Sequence, residues 1–280
     1  MGACDTGAPA RRLAGIAFTP PFGGTQLTDV TFRVFRGAGT QGGFEEYTVQ
    51  LSEGMVVLDA VLDIQASQAG DLAVRWNCKA GKCGSCSAEV NGKPRLMCMT
   101  RMNTLPLDQP VTIEPMRSFP LIKDLVTDVK RNFEINKRVR PFKPKPRQAD
   151  GTHRMMQYDI DRIQEFHKCI ECFLCQDVCH VMRDHQKPDF IGPRFLIRLA
   201  ALVMHPLDTE NRLTELKDAF GIGYCNITKC CTEVCPENIK ITDNAIIPLK
   251  ERVAGNFYDP LAWLWRKARG KRPDTRPGTE

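Results

Sequence analysis

Cys169, Cys172, Cys175 and Cys179 stand at Cys-x2-Cys-x2-Cys-x3-Cys spacing. Three thiolates wrapped in one tight turn can take three corners of an iron–sulfur cubane. The fourth, at the start of a following helix, points away to serve a second cluster. Such a run cannot complete a site alone, and Cys225, Cys230, Cys231 and Cys235 lie downstream to supply what is missing. Cys235, followed by Pro236, completes a [4Fe-4S] site with Cys169, Cys172 and Cys175. Cys179, Cys225 and Cys231 give only three thiolates, because Thr228 stands where a full run places a cysteine. Three thiolates suit a [3Fe-4S] cluster. Cys230 is adjacent to a ligand but out of register and reads as a buried thiol, with replacement of Cys231 as the alternative. A structural zinc site also favours paired Cys-x2-Cys, but zinc closes with four ligands and has no use for a cysteine shared between two sites.

A second signature lies earlier in the chain. Cys78, Cys83 and Cys86 have the x4, x2 spacing of a plant-type [2Fe-2S] loop, with Cys98 as the distal fourth ligand. Gly81 and Gly84 let the backbone curl around the cluster and aim N–H groups at its sulfurs. Those donors offset the negative charge of the thiolate-ligated cluster and help set its potential. A zinc ribbon would pair one Cys-x2-Cys with another, and Cys98 has no such neighbour.

The elements around these loops must hold them in place. From Thr28, TDVTFRVFRG alternates polar and apolar residues as a half-buried strand does; GAGTQGG is a turn, and FEEYTVQLSEG is the returning strand of a hairpin. MVVLDAVLDIQASQ, with Val57, Val61 and Ile64 at helical spacing, is a helix packed on that sheet. SAEVNGKPRLMC is a hairpin about Asn91-Gly92 that carries Cys98 back toward its loop. VTIEPM closes the sheet, and PLIKDLVTDVKRNFEINKRV follows as an amphipathic helix. KRVRPFKPKPRQADGTHR then combines basic residues with prolines that block both helix and sheet, which makes it an interdomain linker. It lacks aromatic interleaving, so it reads as solvated chain and not as a nucleic-acid surface. DIDRIQEFHKC leads as a helix into the central run, and helices alternate with cysteine loops from there.

The fold class expected is α+β. An N-terminal β-grasp domain of the plant-type ferredoxin kind is followed by an all-α domain like a bacterial ferredoxin. The boundaries expected are an irregular arm over 1–26, the [2Fe-2S] domain over 27–136, the linker over 137–153, the helical domain over 154–256 and a tail over 257–280. In the tail, Phe257, Tyr258, Trp263 and Trp265 accompany basic residues, which suits either a membrane interface or a docked terminal helix.

The chain has 280 residues, 42% hydrophobic and 26% charged, ordinary for a globular protein, so its 13 cysteines are the anomaly. Arg11 and Arg12 precede only LAGIAF, too short an apolar region for a secretory signal. Many cysteines without an export signal read as metal ligands in a reducing compartment. FLIRLAALVM, interrupted by Arg198, is too short for a membrane span and reads as a buried helix. The net charge of +6 is mild and does not choose among nucleic acid, an anionic membrane face or an acidic partner.

The chain resembles the iron–sulfur subunit of succinate:quinone oxidoreductase (respiratory complex II) and of the related fumarate reductases. RWNCKAGKCGSC, SFPLIKDLVTDV, CIECFLC, GPRFL and CTEVCP look like that family's signatures in its order, from about Thr28 to Val253. The resemblance implies a wire. Electrons pass from FAD in a flavoprotein subunit through [2Fe-2S], [4Fe-4S] and [3Fe-4S] to quinone at membrane-anchor subunits. It implies a peripheral place on the cytoplasmic face of a bacterial membrane, with no nucleic-acid partner. The chain lacks GxGxxG and any evident succinate site, so dicarboxylate chemistry belongs to the flavoprotein. The alternatives are a fumarate reductase running in reverse and another flavoprotein–electron-carrier complex. The chain departs from the family after Cys179, where His180, Arg183 and Asp184 replace a proline and the quinone-pocket tryptophans, and where Asn226 replaces a histidine after the next ligand. Arg183, Asp184 and Asn226 are the residues expected on the quinone or next-acceptor side.

Overall fold

Val30, Phe32 and Val34 alternate with polar neighbours along β1 (Thr28–Ala38), and all three are buried. The computed structural model describes residues 28–268; the arm with Cys4 and the last part of the tail lie outside the described residues. β2 (Gln41–Leu51) pairs with β1 in antiparallel register from Thr28↔Leu51 to Ala38↔Gln41. The glycine-rich turn therefore shrinks to Gly39-Thr40. α1 (Val57–Ser67) lays Val57, Leu58, Val61 and Ile64 on the sheet. β3 (Ser87–Val90) and β4 (Lys93–Leu96) form the expected hairpin. Asn91 and Gly92, at φ 49° and 70°, both take the left-handed conformation that a two-residue type I′ turn demands. β5 (Val111–Glu114) runs antiparallel to β3 and parallel to β1. With β6 (Leu121–Lys123) and β7 (Val126–Thr127) the described residues give a seven-stranded sheet ordered β4-β3-β5-β1-β6-β7, with β2 on the other side of β1.

The last two strands correct the sequence reading, which placed one amphipathic helix over 120–139. A hairpin occupies 121–127, and helix begins only at α2 (Lys130–Arg138). The cause is tertiary. Asp124 sits buried at the hairpin turn with φ 49°, and its carboxylate accepts from the Gly37 N–H at 2.9 Å, the Ala73 N–H at 2.8 Å and Arg36 Nε at 3.2 Å. Those bonds tie the segment to the end of β1 and outweigh a helical periodicity that is only local.

The second half is helical: α3 (Gln157–Gln164), α4 (Leu174–Asp177), α5 (His180–Arg183), α6 (Pro193–Val203), α7 (Leu213–Asp218), α8 (Cys230–Glu233), α9 (Ile247–Phe257) and α10 (Pro260–Ala268). α6 is the FLIRLAALVM helix and is buried nearly all round; only Arg198, Ala201 and Leu202 are partly exposed. The stretch between the halves is exposed but not loose. Lys145 N–H donates to Leu207 O at 2.8 Å and Thr209 N–H to Lys143 O at 2.9 Å. The buried Arg212 guanidinium bonds Asp208 at 2.6 Å and the Pro141 carbonyl at 2.7 Å. α10 leaves Leu261, Leu264 and Trp265 exposed, and Tyr258 before it. No helix among the described residues is long and apolar enough to cross a membrane.

Each half has its own core, but the two meet. Cys172 and Leu174, from the central cysteine run, pack into the core of the sheet half with Phe32, Val61 and Ile113.

Candidate metal centres

The first centre is the loop between α1 and β3, closed by Cys98 two residues after β4. Lys79, Gly81 and Gly84 all have positive φ, at 55°, 67° and 69°, so the loop coils in a sense that sets successive N–H groups inward. Cys78 Sγ accepts from Ala80 N–H at 3.4 Å and Lys82 N–H at 3.3 Å; Cys83 Sγ accepts from Ser85 N–H at 3.5 Å. Cys86 and Cys98 are buried side by side, held by the Met97 N–H bond to Cys86 O at 3.1 Å. Burial pushes the Cys86 thiol up to about 12. Burial also raises Cys83, but hydrogen bonds from Ser85 and Cys78 outweigh it and bring that thiol to about 6. The loop thus has one side on the core and one, with exposed Cys78, Trp76 and Met99, turned outward.

The second centre is a cavity lined by Cys169, Cys172, Cys175 and Cys235, with Ile170, Phe173, Ile197, Ile239 and Ile241 as apolar walls. Glu171 and Phe173, at φ 57° and 62°, alternate with residues of negative φ, so the backbone wraps the cavity and presents three thiols in seven residues. Cys235 Sγ accepts from Ile239 N–H at 3.4 Å. Arg194, nearly buried at one wall, is paired with Glu171. Burial pushes the Cys172 thiol up to about 12 and Cys175 well above its usual range. Thiolates here need the positive charge of iron to offset that burial.

The third cavity is lined by Cys179, Cys225, Cys230 and Cys231 together with His180, Asn226, Thr228 and Thr242. Ile227 and Lys229, at φ 63° and 65°, repeat the backbone of Glu171 and Phe173. Cys231 is buried, with Thr242 Oγ1 3.4 Å from its sulfur. Burial pushes Cys179 up to about 11 and raises Cys231 as well. Cys230 is half-buried, not buried as the sequence suggested. Its thiol donates to Thr228 Oγ1 at 3.5 Å, and it lines the same cavity. α4 and α8 exchange thiols between the cavities: Cys175 opens into the second and Cys179 into the third, Cys231 into the third and Cys235 into the second. Among the described residues no three His, Cys, Asp or Glu side chains converge on a single ion. Thiols spread around a cavity instead suit a polynuclear cluster, in which each thiolate holds its own iron.

Two family models match this layout: a 2Fe-2S iron–sulfur cluster binding domain over residues 31–134 and a 4Fe-4S dicluster domain over residues 165–239. A Mycobacterium tuberculosis fumarate reductase iron–sulfur subunit is 33% identical over 230 residues, covering 79% of this chain and 90% of that one. The chain belongs to the family of succinate dehydrogenase and fumarate reductase iron–sulfur subunits. The Bacillus subtilis succinate dehydrogenase iron–sulfur subunit is 29% identical over 71% of this chain and 81% of that one. A chain of the Mycobacterium smegmatis Sdh1 complex in the apo form superposes with TM-score 0.81 and 59% identity, covering 84% of this chain and 99% of that one. The chain is therefore an electron-transfer subunit of a multi-subunit oxidoreductase.

For a subunit of this family the residues after Cys179 take unexpected places. Asn226 lines the third cavity and Asp184 is exposed at the end of α5. Arg183 turns the other way, into an ion pair with Glu89 of β3, which is fully buried. That pair lies at the contact between the halves. Arg117 also reaches Glu89, at 3.3 Å. Beside them burial raises the Asp177 carboxyl, opposed by the Ser118 N–H bond at 2.9 Å. Sequence reasoning missed Glu89 and Asp177, whose partners are distant in the chain, and Thr242, whose partner Cys231 lies 11 residues before it. Arg194 was in view inside GPRFL, but nothing in the sequence announced its pairing.

Proposed function

We propose that the chain relays electrons through three clusters. Cys78, Cys83, Cys86 and Cys98 hold [2Fe-2S]; Cys169, Cys172, Cys175 and Cys235 hold [4Fe-4S]; Cys179, Cys225 and Cys231 hold [3Fe-4S]. On this reading the sheet half is a β-grasp ferredoxin domain and the helical half a bacterial-ferredoxin-like domain, divided at the basic stretch 137–153. The observation that carries the assignment is the exchange of thiols between two cavities, which a pair of clusters explains.

The chain's own contributions are positional. N–H donors face Cys78, Cys83 and Cys235 and stabilise the thiolates. Apolar walls keep water from the second centre. Electrons enter at the exposed side of the first loop from FAD in a flavoprotein subunit and leave from the third centre to quinone at a membrane anchor. Asn226 and Asp184 are the residues on the acceptor side. The exposed Leu261, Leu264 and Trp265 of α10 support a seat at the membrane interface, on the cytoplasmic face of a bacterial membrane. The likeness to the Bacillus subtilis succinate dehydrogenase subunit supports succinate oxidation, with fumarate reduction the second reading on the strength of the fumarate reductase relative.

The test is the purified complex. It should contain about nine irons and ten acid-labile sulfides per copy of this chain, give three separate paramagnetic signals and reduce quinone with succinate. Iron and sulfide sufficient for only two clusters would sink the assignment of the third.

A further inference from the structure

The first and second centres touch through their own ligand-bearing backbone. Gly84 lies between Cys83 and Cys86, and a Cβ at that position would stand 2.5 Å from Cys172 Cα, 2.9 Å from Cys172 Cβ and 3.0 Å from Cys172 N. Backbone cannot give way as a flexible side chain can, so only glycine permits this approach. Two residues past Gly84's neighbour Ser85, the buried Ser87 hydroxyl sits between two carbonyls, Gly84 O at 2.8 Å and Cys172 O at 2.9 Å. One proton shared between two carbonyls pins the first loop to the residue that bears the second centre's thiol. Lys82 of the same loop pairs with Glu237 beside Cys235 at 2.9 Å, a second tie to the same cavity.

We propose that Gly84 and Ser87 are positioning residues for electron transfer from the first cluster to the second. Gly84 sets the closest approach of the two ligand loops, and Ser87 locks it. The inference rests on the ligand assignment above. The step moves one electron from reduced [2Fe-2S] to oxidised [4Fe-4S]; no bond forms or breaks and no proton moves, and the electron comes from the flavoprotein side of the known reaction. Tunnelling falls off exponentially with distance, so a residue that fixes the gap controls the rate without touching either iron.

Gly81 offers the internal control. It shares positive φ with Gly84, 67° against 69°, but the three atoms nearest its added Cβ, at 2.9 to 3.6 Å, all belong to the flexible Met99 side chain and not to backbone. Both alanine variants strain the loop backbone, and only Gly84→Ala drives the two centres apart. The experiment uses the intact complex with Gly84→Ala, Gly81→Ala and Ser87→Ala. The readout is the faster spin relaxation that reduced [4Fe-4S] imposes on reduced [2Fe-2S], which weakens steeply with distance, together with the rate at which the second cluster is reduced after a pulse of electrons. Gly84→Ala should lose most of that enhancement and slow the transfer, Ser87→Ala should lose part of it, and Gly81→Ala, which strains the loop alike, should lose clearly less than Gly84→Ala. If Gly84→Ala fails to assemble its first cluster, Ser87→Ala, which keeps the glycine, decides. Parental coupling and rate in a Ser87→Ala complex with both clusters present would overturn the proposal, as would equal losses in Gly81→Ala and Gly84→Ala. Absence of a [4Fe-4S] signal from the parent would instead bring down the ligand assignment.

Discussion

The two cysteine runs of the helical half are the same piece of backbone used in two surroundings. Cys169, Cys172, Cys175 and Cys179 correspond in order to Cys225, Thr228, Cys231 and Cys235. Left-handed residues fall at the same places, Glu171 and Phe173 in one run and Ile227 and Lys229 in the other. Each run then makes a four-residue helix and sends its last cysteine to the neighbour's cavity. The surroundings differ. The first run is wedged between the two cores, with Cys172 8% and Leu174 1% exposed. The second lies at the surface, where Tyr224, Ile227 and Thr228 are exposed. Local sequence thus sets the shape of a cluster loop, and tertiary placement, on the proposed assignment, separates an inner relay from an exit.

Removing the clusters tests the shared part of that comparison and has the largest expected effect. Helices of four residues do not stand alone in water, and the thiols beside them lose the main positive charge that offsets their burial once iron is gone. Chelation of the iron should therefore strip hydrogen-exchange protection from 165–239 while the strands β1, β3 and β5 keep theirs. Persistent protection at Cys175 and Cys231 in the apo chain would mean the loops are preformed by packing alone.

Thr228→Cys tests the one ligand by which the runs differ. The threonine lines the third cavity at the position where Cys172 lines the second. A thiolate there should convert [3Fe-4S] to [4Fe-4S], abolish the paramagnetism of the oxidised three-iron cluster and lower the potential, so that quinone reduction slows. A three-iron signal at full intensity would show that Thr228 does not face the cluster or that Cys230 has shifted the register.

The difference between the runs also marks how far the sequence could be read. Cysteine spacing, the period-2 strands and the Asn91-Gly92 turn are local signals, and the structure shows the matching loops, strands and hairpin. The 121–127 hairpin was not legible, because Asp124 finds its three donors on residues far along the chain. Nor was the role of Arg183, whose partner Glu89 lies 94 residues away. The basic stretch looked like a free tether since prolines exclude regular structure, but the Arg212 side chain that fastens it comes from beyond the central run. Pattern reveals what neighbours in sequence decide; packing between the halves is decided elsewhere.

Arg183→Ala probes what seats the first run and not the second. It leaves buried Glu89 with Arg117 alone, and breaking a buried ion pair costs about 3–5 kcal/mol. The remaining Arg117 contact favours the lower end. Loss of cluster absorbance in urea should begin at lower denaturant, and adding Glu89→Gln should recover part of the loss. Additive losses in the double variant would show that the two side chains act independently.

The smallest effect, and the finest test of the comparison, comes from Cys230 set against Leu174, which holds the same position in the other run. Leu174 sits in the core of the sheet half, so Leu174→Ala removes buried apolar contacts and leaves a cavity, at about 2–5 kcal/mol. Cys230 is half-buried at the rim of the third cavity and donates only weakly to Thr228. Cys230→Ala should therefore change stability by about 0.5 kcal/mol or less, as at an ordinary surface position. Both can be read as midpoints of urea-induced loss of cluster absorbance in the same complex. A cost for Cys230→Ala equal to that of Leu174→Ala would place the second run in a packed interior as well, and the difference in surroundings that separates relay from exit would disappear.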